Sequence, residues 1–321
     1  MNPLEAPSIA PAAHPLSILF AGSGEFGVPT LAALLAAGHR ILHVYTQPDR
    51  PAGRGRQLTP TPIARFATEN NLPLTRTGNL NAENLPPADV LVVIAFGQKI
   101  ARNIADAPRL GSINLHASRL PKYRGAAPIN WAIINGETTT GNSIIRLADR
   151  MDAGAILAQS QIPIVPTETA GELHDRLAAD GAPLVLSTLD QLAINRAVET
   201  RQDDSAATIA KKLSRETATI DWKDSANQIA RRINGLSPWP GCRLRLLDGE
   251  KELSTVTLLR AQPVHAASAQ PGYIVDAGAI AAGEGAVQIL QVQPQGRRPM
   301  SFDDFRRGNR WQPGMRIESV T

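Results

Sequence analysis

Asn114 and His116 stand two residues apart in the stretch GSINLHASRLPKYRGAAP, residues 111–128. The run Ser112–His116 alternates apolar Ile113 and Leu115 with polar neighbours, which predicts a short strand. Positions two apart on a strand share a face, so the carboxamide and the imidazole point the same way. In an open parallel sheet the carboxyl ends of the strands face the ligand crevice, and His116 stands at that end. An amide and an imidazole placed there suit the holding of a carbonyl oxygen as it becomes an oxyanion. Taken alone, the pair is more simply the polar end of a strand with a satisfied histidine. The rest of the chain decides between the two.

The elements around this stretch alternate strand and helix. Leu16–Ala21 reads as a buried strand, and Phe26–Ala37 as a helix with Leu31, Leu34 and Leu35 inward and Gly38 as its stop. Ile41–Tyr45 reads as a second strand, which opens a parallel α/β sheet. A helix over Ile63–Asn70 and a strand near Leu72–Leu74 follow. Asp89–Ala95 is a near-continuous apolar strand and so central to the sheet. A helix is expected over Ile129–Asn135, a strand over Ser143–Leu147, an edge strand over Ile156–Ile162 and a long amphipathic helix over Thr169–Leu192. The pattern breaks at residues 198–210, read as a linker. Beyond it, strands at Gly241–Leu247, Thr255–Leu259, Gly272–Val275 and Gly285–Val292 have the spacing of a small β-barrel. The expected fold is α/β: a Rossmann-like open parallel sheet over 16–197, then an OB-like barrel over 211–321. The proline-rich residues 1–15 read as a disordered tail.

Two loops carry further signals. Gly22, Gly24 and Gly27 between the first strand and helix match the dinucleotide fingerprint G-x-G-x-x-G. That fingerprint also needs a carboxylate at the end of the second strand, where this chain has Val44-Tyr45-Thr46-Gln47. A dehydrogenase reading is weakened accordingly. Residues 47–62, QPDRPAGRGRQLTPTP, form a connection far longer than a βα unit needs and carry Arg50, Arg54 and Arg56. Arginines in such an exposed loop suit phosphate contacts, although a solvated insertion has the same composition.

Composition narrows the classes. The single cysteine, Cys242, excludes an internal disulfide and a cysteine-rich metal site. The six histidines show no ligand spacing, so no metal is expected. No apolar run approaches the ~20 residues of a membrane span, and no basic segment precedes an apolar one at the start, so a cytoplasmic protein is expected. Net charge is +4, but from Ser205 onward 16 basic residues meet 11 acidic ones, while the rest of the chain nets −1. The basic excess is C-terminal, which favours a polyanionic partner for that part.

Asn114-x-His116, the following Ser118-Arg119-Leu120-Pro121 and Arg124-Gly125, the acidic loop Met151-Asp152-Ala153-Gly154 and the glycine-rich first turn together resemble the folate-dependent formyltransferase superfamily. The loop QPDRPAGRGRQL and the late segments LSRETATIDW, LSPWPG and Val292-Gln293-Pro294-Gln295-Gly296 resemble the branch of that family that formylates initiator methionyl-tRNA. The resemblance runs from about Leu16 to Arg316. The chain departs from the family pattern at Arg119, Met151, Ala153 and the first turn, where Gly22-Ser23-Gly24-Glu25-Phe26 replaces the usual G-T-P-E-F.

The resemblance implies Asn114, His116 and Asp152 as the catalytic set, with 10-formyltetrahydrofolate as formyl donor and no metal. It implies a folate crevice lined by Phe96, Gly97, Gln98, Lys99, Ile100, Ser118, Arg119, Leu120, Pro121 and Asp149. The initiator tRNA would lie across Arg50, Arg54 and Arg56 and the basic barrel, and the expected protein is a monomer. Two rivals remain at this level. A formyltransferase acting on glycinamide ribonucleotide would lack the barrel, and one acting on an amino-sugar nucleotide usually carries a dehydrogenase domain. An RNA-binding protein with a decayed enzyme domain is opposed by the intact Asn114, His116 and Asp152.

Overall fold

A computed structural model describes residues 10–320 of the chain apart from 53, 54, 56, 266–268 and 277. The chain divides into two compact units, each assembled from separate stretches. The first takes the chain up to residue 124, then 141–161 and 175–209; the second takes 125–140, 162–174 and the chain from 210 onward.

The first unit is built on a seven-stranded sheet. Its strands are β1 (Ser17–Gly22), β2 (Arg40–Thr46), β3 (Leu74–Arg76), β4 (Val90–Ile94), β5 (Ser112–His116), β6 (Ser143–Arg146) and β7 (Ile156–Gln159), in the order β7-β6-β5-β4-β1-β2-β3. The five from β3 to β5 run parallel, and all of β4 is buried, as its unbroken apolar run requires. The chain turns from one side of β1 to the other on entering β4, so the carboxyl ends of β1 and β4 form the crevice of an open sheet. One strand runs against the expected parallel course: β6 is antiparallel to both β5 and β7, so β7 again runs with β5. Side-chain alternation marks a strand's faces but carries no direction, so the sequence could not show this.

Helix α1 (Val28–Ala36) follows β1 with Leu31 and Leu34 buried. Helix α2 (Pro62–Glu69) starts on Pro62, and the hydroxyl of Thr61 caps it by accepting from the Ala64 N–H at 3.0 Å. The loop before it is not bare chain. Arg50–Ala52 pairs antiparallel with Gln57–Thr59 in a two-stranded ribbon, with Arg50 opposite Thr59. Arg54 and Arg56 lie outside the described residues, as do residues 1–9 of the expected tail. Ala12 is docked, its N–H donating to the Ala37 carbonyl at 2.8 Å.

The second unit carries the short helix α3 (Pro128–Ile134) and a sheet of β8 (Cys242–Asp248), β9 (Lys251–Val264), β10 (Ile274–Asp276), β11 (Ala279–Ala281), β12 (Ala286–Pro294) and β13 (Arg316–Ser319). Their order is β10-β11-β12-β9-β8-β13, with every pair antiparallel. A bridge between Tyr273 and Arg316 joins the two edge strands, so the sheet closes on itself. β8 alternates strictly at its start: Cys242, Leu244 and Leu246 are buried, and Arg243 and Arg245 face out. The sequence reading placed no helix here, yet α5 (Ala226–Gly235) buries Ile229 and Ile233 in the core, behind a capping box of Ser225 and Gln228. That α5 follows α4 (Ala170–Ala193), a long helix whose residues from 175 onward fall in the first unit.

Candidate active site

β5 is pressed against α4 on one face. A Cβ on Gly181 of α4 would lie 2.6 Å from Leu115 Cδ2, so this side chain faces the helix at close range. Leu115 therefore occupies the helix side, and the alternation turns Asn114 and His116 to the other face. The carboxamide of Asn114 is half-buried, and no group among the described residues hydrogen-bonds it. A half-buried amide of this kind remains available to a ligand.

His116 is 7% exposed and held from two sides. Its Nε2 lies 2.9 Å from the carbonyl oxygen of Tyr123. A carbonyl oxygen only accepts, so Nε2 carries a proton and donates. The nitrogen left for the substrate side is Nδ1, and Asp152 Oδ1 stands 3.7 Å from it. That separation is an ion-pair contact and too long for a hydrogen bond.

Both residues that grip the ring have left-handed backbones, Tyr123 at φ +62° and Asp152 at φ +54°. Neither is glycine, and such conformations persist only where the surroundings impose them. Gly154 shows one source of that constraint. A Cβ there would sit 1.8 Å from the carbonyl oxygen of Arg146, so the 148–154 loop lies directly on the end of β6. Gly154→Ala is expected to cost about 1–3 kcal/mol, because backbone on both sides must move. Thermal melting with initial rates checks this; a wild-type melting temperature and rate would contradict it.

Ser143, which pairs with His116 across the sheet, supports the turn behind it. Its hydroxyl donates to the Ser118 carbonyl at 2.6 Å and accepts from the Leu120 N–H at 3.0 Å and Gln159 Nε2 at 2.8 Å. Nothing in the sequence marks Ser143, since a serine in a strand carries no signal of its own.

The other sequence-predicted site residues have varied placements. Phe96 and Leu120 are buried. The Ser118 hydroxyl donates to the Lys122 carbonyl at 2.7 Å. Gln98 accepts from the Leu80 N–H at 2.8 Å and donates to the Thr77 carbonyl at 2.7 Å, tying the turn after β4 to the chain beyond β3. Ile100 packs at the edge of the core around Leu91 and Phe96, and Gly97 has φ +76°. Lys99, Arg119 and Asp149 are exposed, and Arg119 bonds Gln161. Pro121 is half-buried at the same turn. Arg50 bonds the side chain of Gln47, whose Nε2 donates to the Phe96 carbonyl at 2.9 Å. The structure thus brings His116 and Asp152 together and leaves Asp149 exposed. Among the described residues no group of three His, Cys, Asp or Glu side chains could hold a metal ion. No helix of the described residues is long and apolar enough to cross a membrane.

The stretch 198–210, read from sequence as a linker, is part of this site. Gln202 is buried, and its Nε2 donates to the carbonyls of Asp152 and Gly154, both at 2.8 Å. Its Oε1 accepts from Arg124 Nε at 3.0 Å and Nη2 at 2.7 Å. Arg124, also buried, pairs with Asp204 at 2.8 Å. Arg124 and Arg150 together hold the Asp204 carboxyl below the usual carboxylate range.

Comparison with known proteins adds the lineage of these parts. The family profile described as formyl transferase matches residues 16–189, and that of the formyl transferase C-terminal domain matches residues 212–310. The methionyl-tRNA formyltransferase of Parvibaculum lavamentivorans is 40% identical over 308 residues, covering 93% of this chain and 99% of that protein. That of Methylococcus capsulatus is 40% identical over 300 residues, covering 90% of this chain and 96% of its own. Among solved structures, WlaRD, described as a sugar 3N-formyl transferase, superposes with a TM-score of 0.63 at 18% identity, over 89% of this chain and 100% of that one. HypX from Aquifex aeolicus, solved in complex with tetrahydrofolic acid, gives 0.60 at 18% identity over 90% of this chain and 46% of that one. At that identity the two structures share a fold with this chain.

Proposed function

This chain belongs to the formyl transferase family, and on that premise we propose that it moves a formyl group from 10-formyltetrahydrofolate to the α-amine of the methionyl group on initiator tRNA. The observation that carries the acceptor is similarity at 40% identity to methionyl-tRNA formyltransferases along nearly the whole of both chains, the C-terminal domain included. The likeness to a sugar formyl transferase is one of fold.

The residues at the end of β5 supply the chemistry. The methionyl nitrogen attacks the formyl carbon, and the carbonyl electron pair moves to oxygen. The Asn114 amide and a proton on His116 Nδ1 donate to that oxyanion, while Nε2 stays bound to the Tyr123 carbonyl. Asp152, beside Nδ1, takes up the proton that the attacking amine must lose. Collapse of the intermediate breaks the bond from carbon to the folate N10, and that nitrogen takes a proton as it leaves. No covalent enzyme intermediate and no metal enters these steps. The turn after β4, the turn at 118–121 and the 148–152 loop are the parts we assign to the folate. The Arg50 ribbon and outward residues such as Arg243 on β8 are those we assign to the RNA, and we place the enzyme in the cytoplasm as a monomer.

Incubating the protein with 10-formyltetrahydrofolate and initiator methionyl-tRNA is expected to yield formylmethionyl-tRNA. Inert tRNA together with formylation of glycinamide ribonucleotide or an amino-sugar nucleotide would overturn the reading.

A further inference from the structure

We propose that the segment 200–208 is a strap that positions His116 and Asp152, with Gln202 and Thr208 as its positioning residues. The inference rests on the reading of His116 and Asp152 as catalytic. Tyr123 and Asp152, which face the two ring nitrogens of His116, are both left-handed, and each is tied to this one segment. On the Asp152 side, Gln202 donates both of its amide hydrogens, one to the Asp152 carbonyl and one to the Gly154 carbonyl. On the Tyr123 side, the Thr208 hydroxyl accepts from the Tyr123 N–H at 2.8 Å, and the Thr208 carbonyl accepts from the Arg124 N–H at 2.8 Å. Arg124 ties the two sides, since its guanidinium fills the remaining acceptor positions of Gln202. The strap itself is anchored where Thr200 pairs with Ile156 of β7, with 2.8 Å hydrogen bonds in both directions.

Every polar group of the Gln202 side chain is thus used, and it is used on main chain whose conformation sets where a carboxylate stands. A left-handed aspartate released from such bonds has less strained conformations open to it. In those conformations its carboxylate would leave Nδ1. Thr208 acts on the other side, by fixing the peptide whose carbonyl receives the Nε2 proton. A misplacement of about 1 Å in such a constellation is enough for about a 100-fold loss of rate. Binding surfaces for folate and tRNA need not change.

The test measures kcat, KM for both substrates and melting temperature in four variants. Gln202→Glu keeps size and the acceptors for Arg124, but it has no hydrogens for the two carbonyls. It is expected to lower kcat by about 10–100-fold with both KM values within about twofold. Thr208→Val, which removes only the hydroxyl, is expected to lower kcat by about tenfold, and Thr208→Ser to restore it. If Gln202→Glu fails to fold, the Thr208 pair decides. Wild-type kcat in both Gln202→Glu and Thr208→Val, or a rise in KM at constant kcat, with Asp152→Asn inactive, overturns the strap and leaves the site standing. An active Asp152→Asn overturns the site reading itself.

Discussion

Asp152→Asn leaves a folded protein with turnover lowered by about a thousandfold, and Asp149→Asn lowers turnover much less. The contrast follows from placement. Asp152 stands 3.7 Å from His116 Nδ1 and is 14% exposed, whereas Asp149 is exposed on the same loop. Asparagine is the informative replacement because it adopts the left-handed conformation as readily as aspartate, so the φ of +54° is kept and only the charge is lost. The amide cannot take the amine's proton. Side-by-side single-turnover rates decide the matter, and a larger loss in Asp149→Asn would assign the loop's acidic role to the wrong residue.

Asn114→Ala and His116→Ala each lower turnover by about a hundredfold or more, with tRNA binding little changed. The two should separate in stability. No described residue hydrogen-bonds the Asn114 side chain, so its removal orphans nothing and the melting temperature should hold. Removing the His116 ring strips the Tyr123 carbonyl of its donor in a buried place, at a cost of about 1–3 kcal/mol. Asn114→Ala is therefore the cleaner report on oxyanion stabilisation. Single-turnover rates near wild type in both variants would remove these residues from the chemistry.

The spacing of Asn114 and His116 was enough to place both on one strand face, because a period of two is a geometric property of any strand. The apolar run at β4 and the basic excess after residue 205 were equally plain. The antiparallel course of β6 was hidden because periodicity has no sense of direction. The capping box Ser225-Ala226-Asn227-Gln228 before Ile229 and Ile233 is a legible helix start, set among segments whose spacing points to strands. The ribbon at 50–59 was hidden by its glycines and prolines, which read as loop. Gln202 and Thr208 lay beyond sequence reasoning altogether. Each acts on main chain 48 to 85 positions away, and a polar residue in an aperiodic stretch shows nothing of a distant partner.

The second unit looks in sequence like a cassette that begins near residue 210, yet it includes residues 125–140, which come far earlier. Its α5 has been shaped to receive them. The Gly235 carbonyl accepts from Asn130 Nδ2 at 2.8 Å, and a Cβ on Gly235 would sit 2.7 Å from Ile134 Cγ1. Trp131 and Ile134 complete the apolar packing around Ile229 and Ile233. A gene fragment cut at 210 would leave that helix face bare to water, with its glycine facing an empty place. Shuffling of this domain between genes would therefore have to carry a piece of the preceding one, and a ribosome must pass residue 235 before a helix made in the first half has its partner.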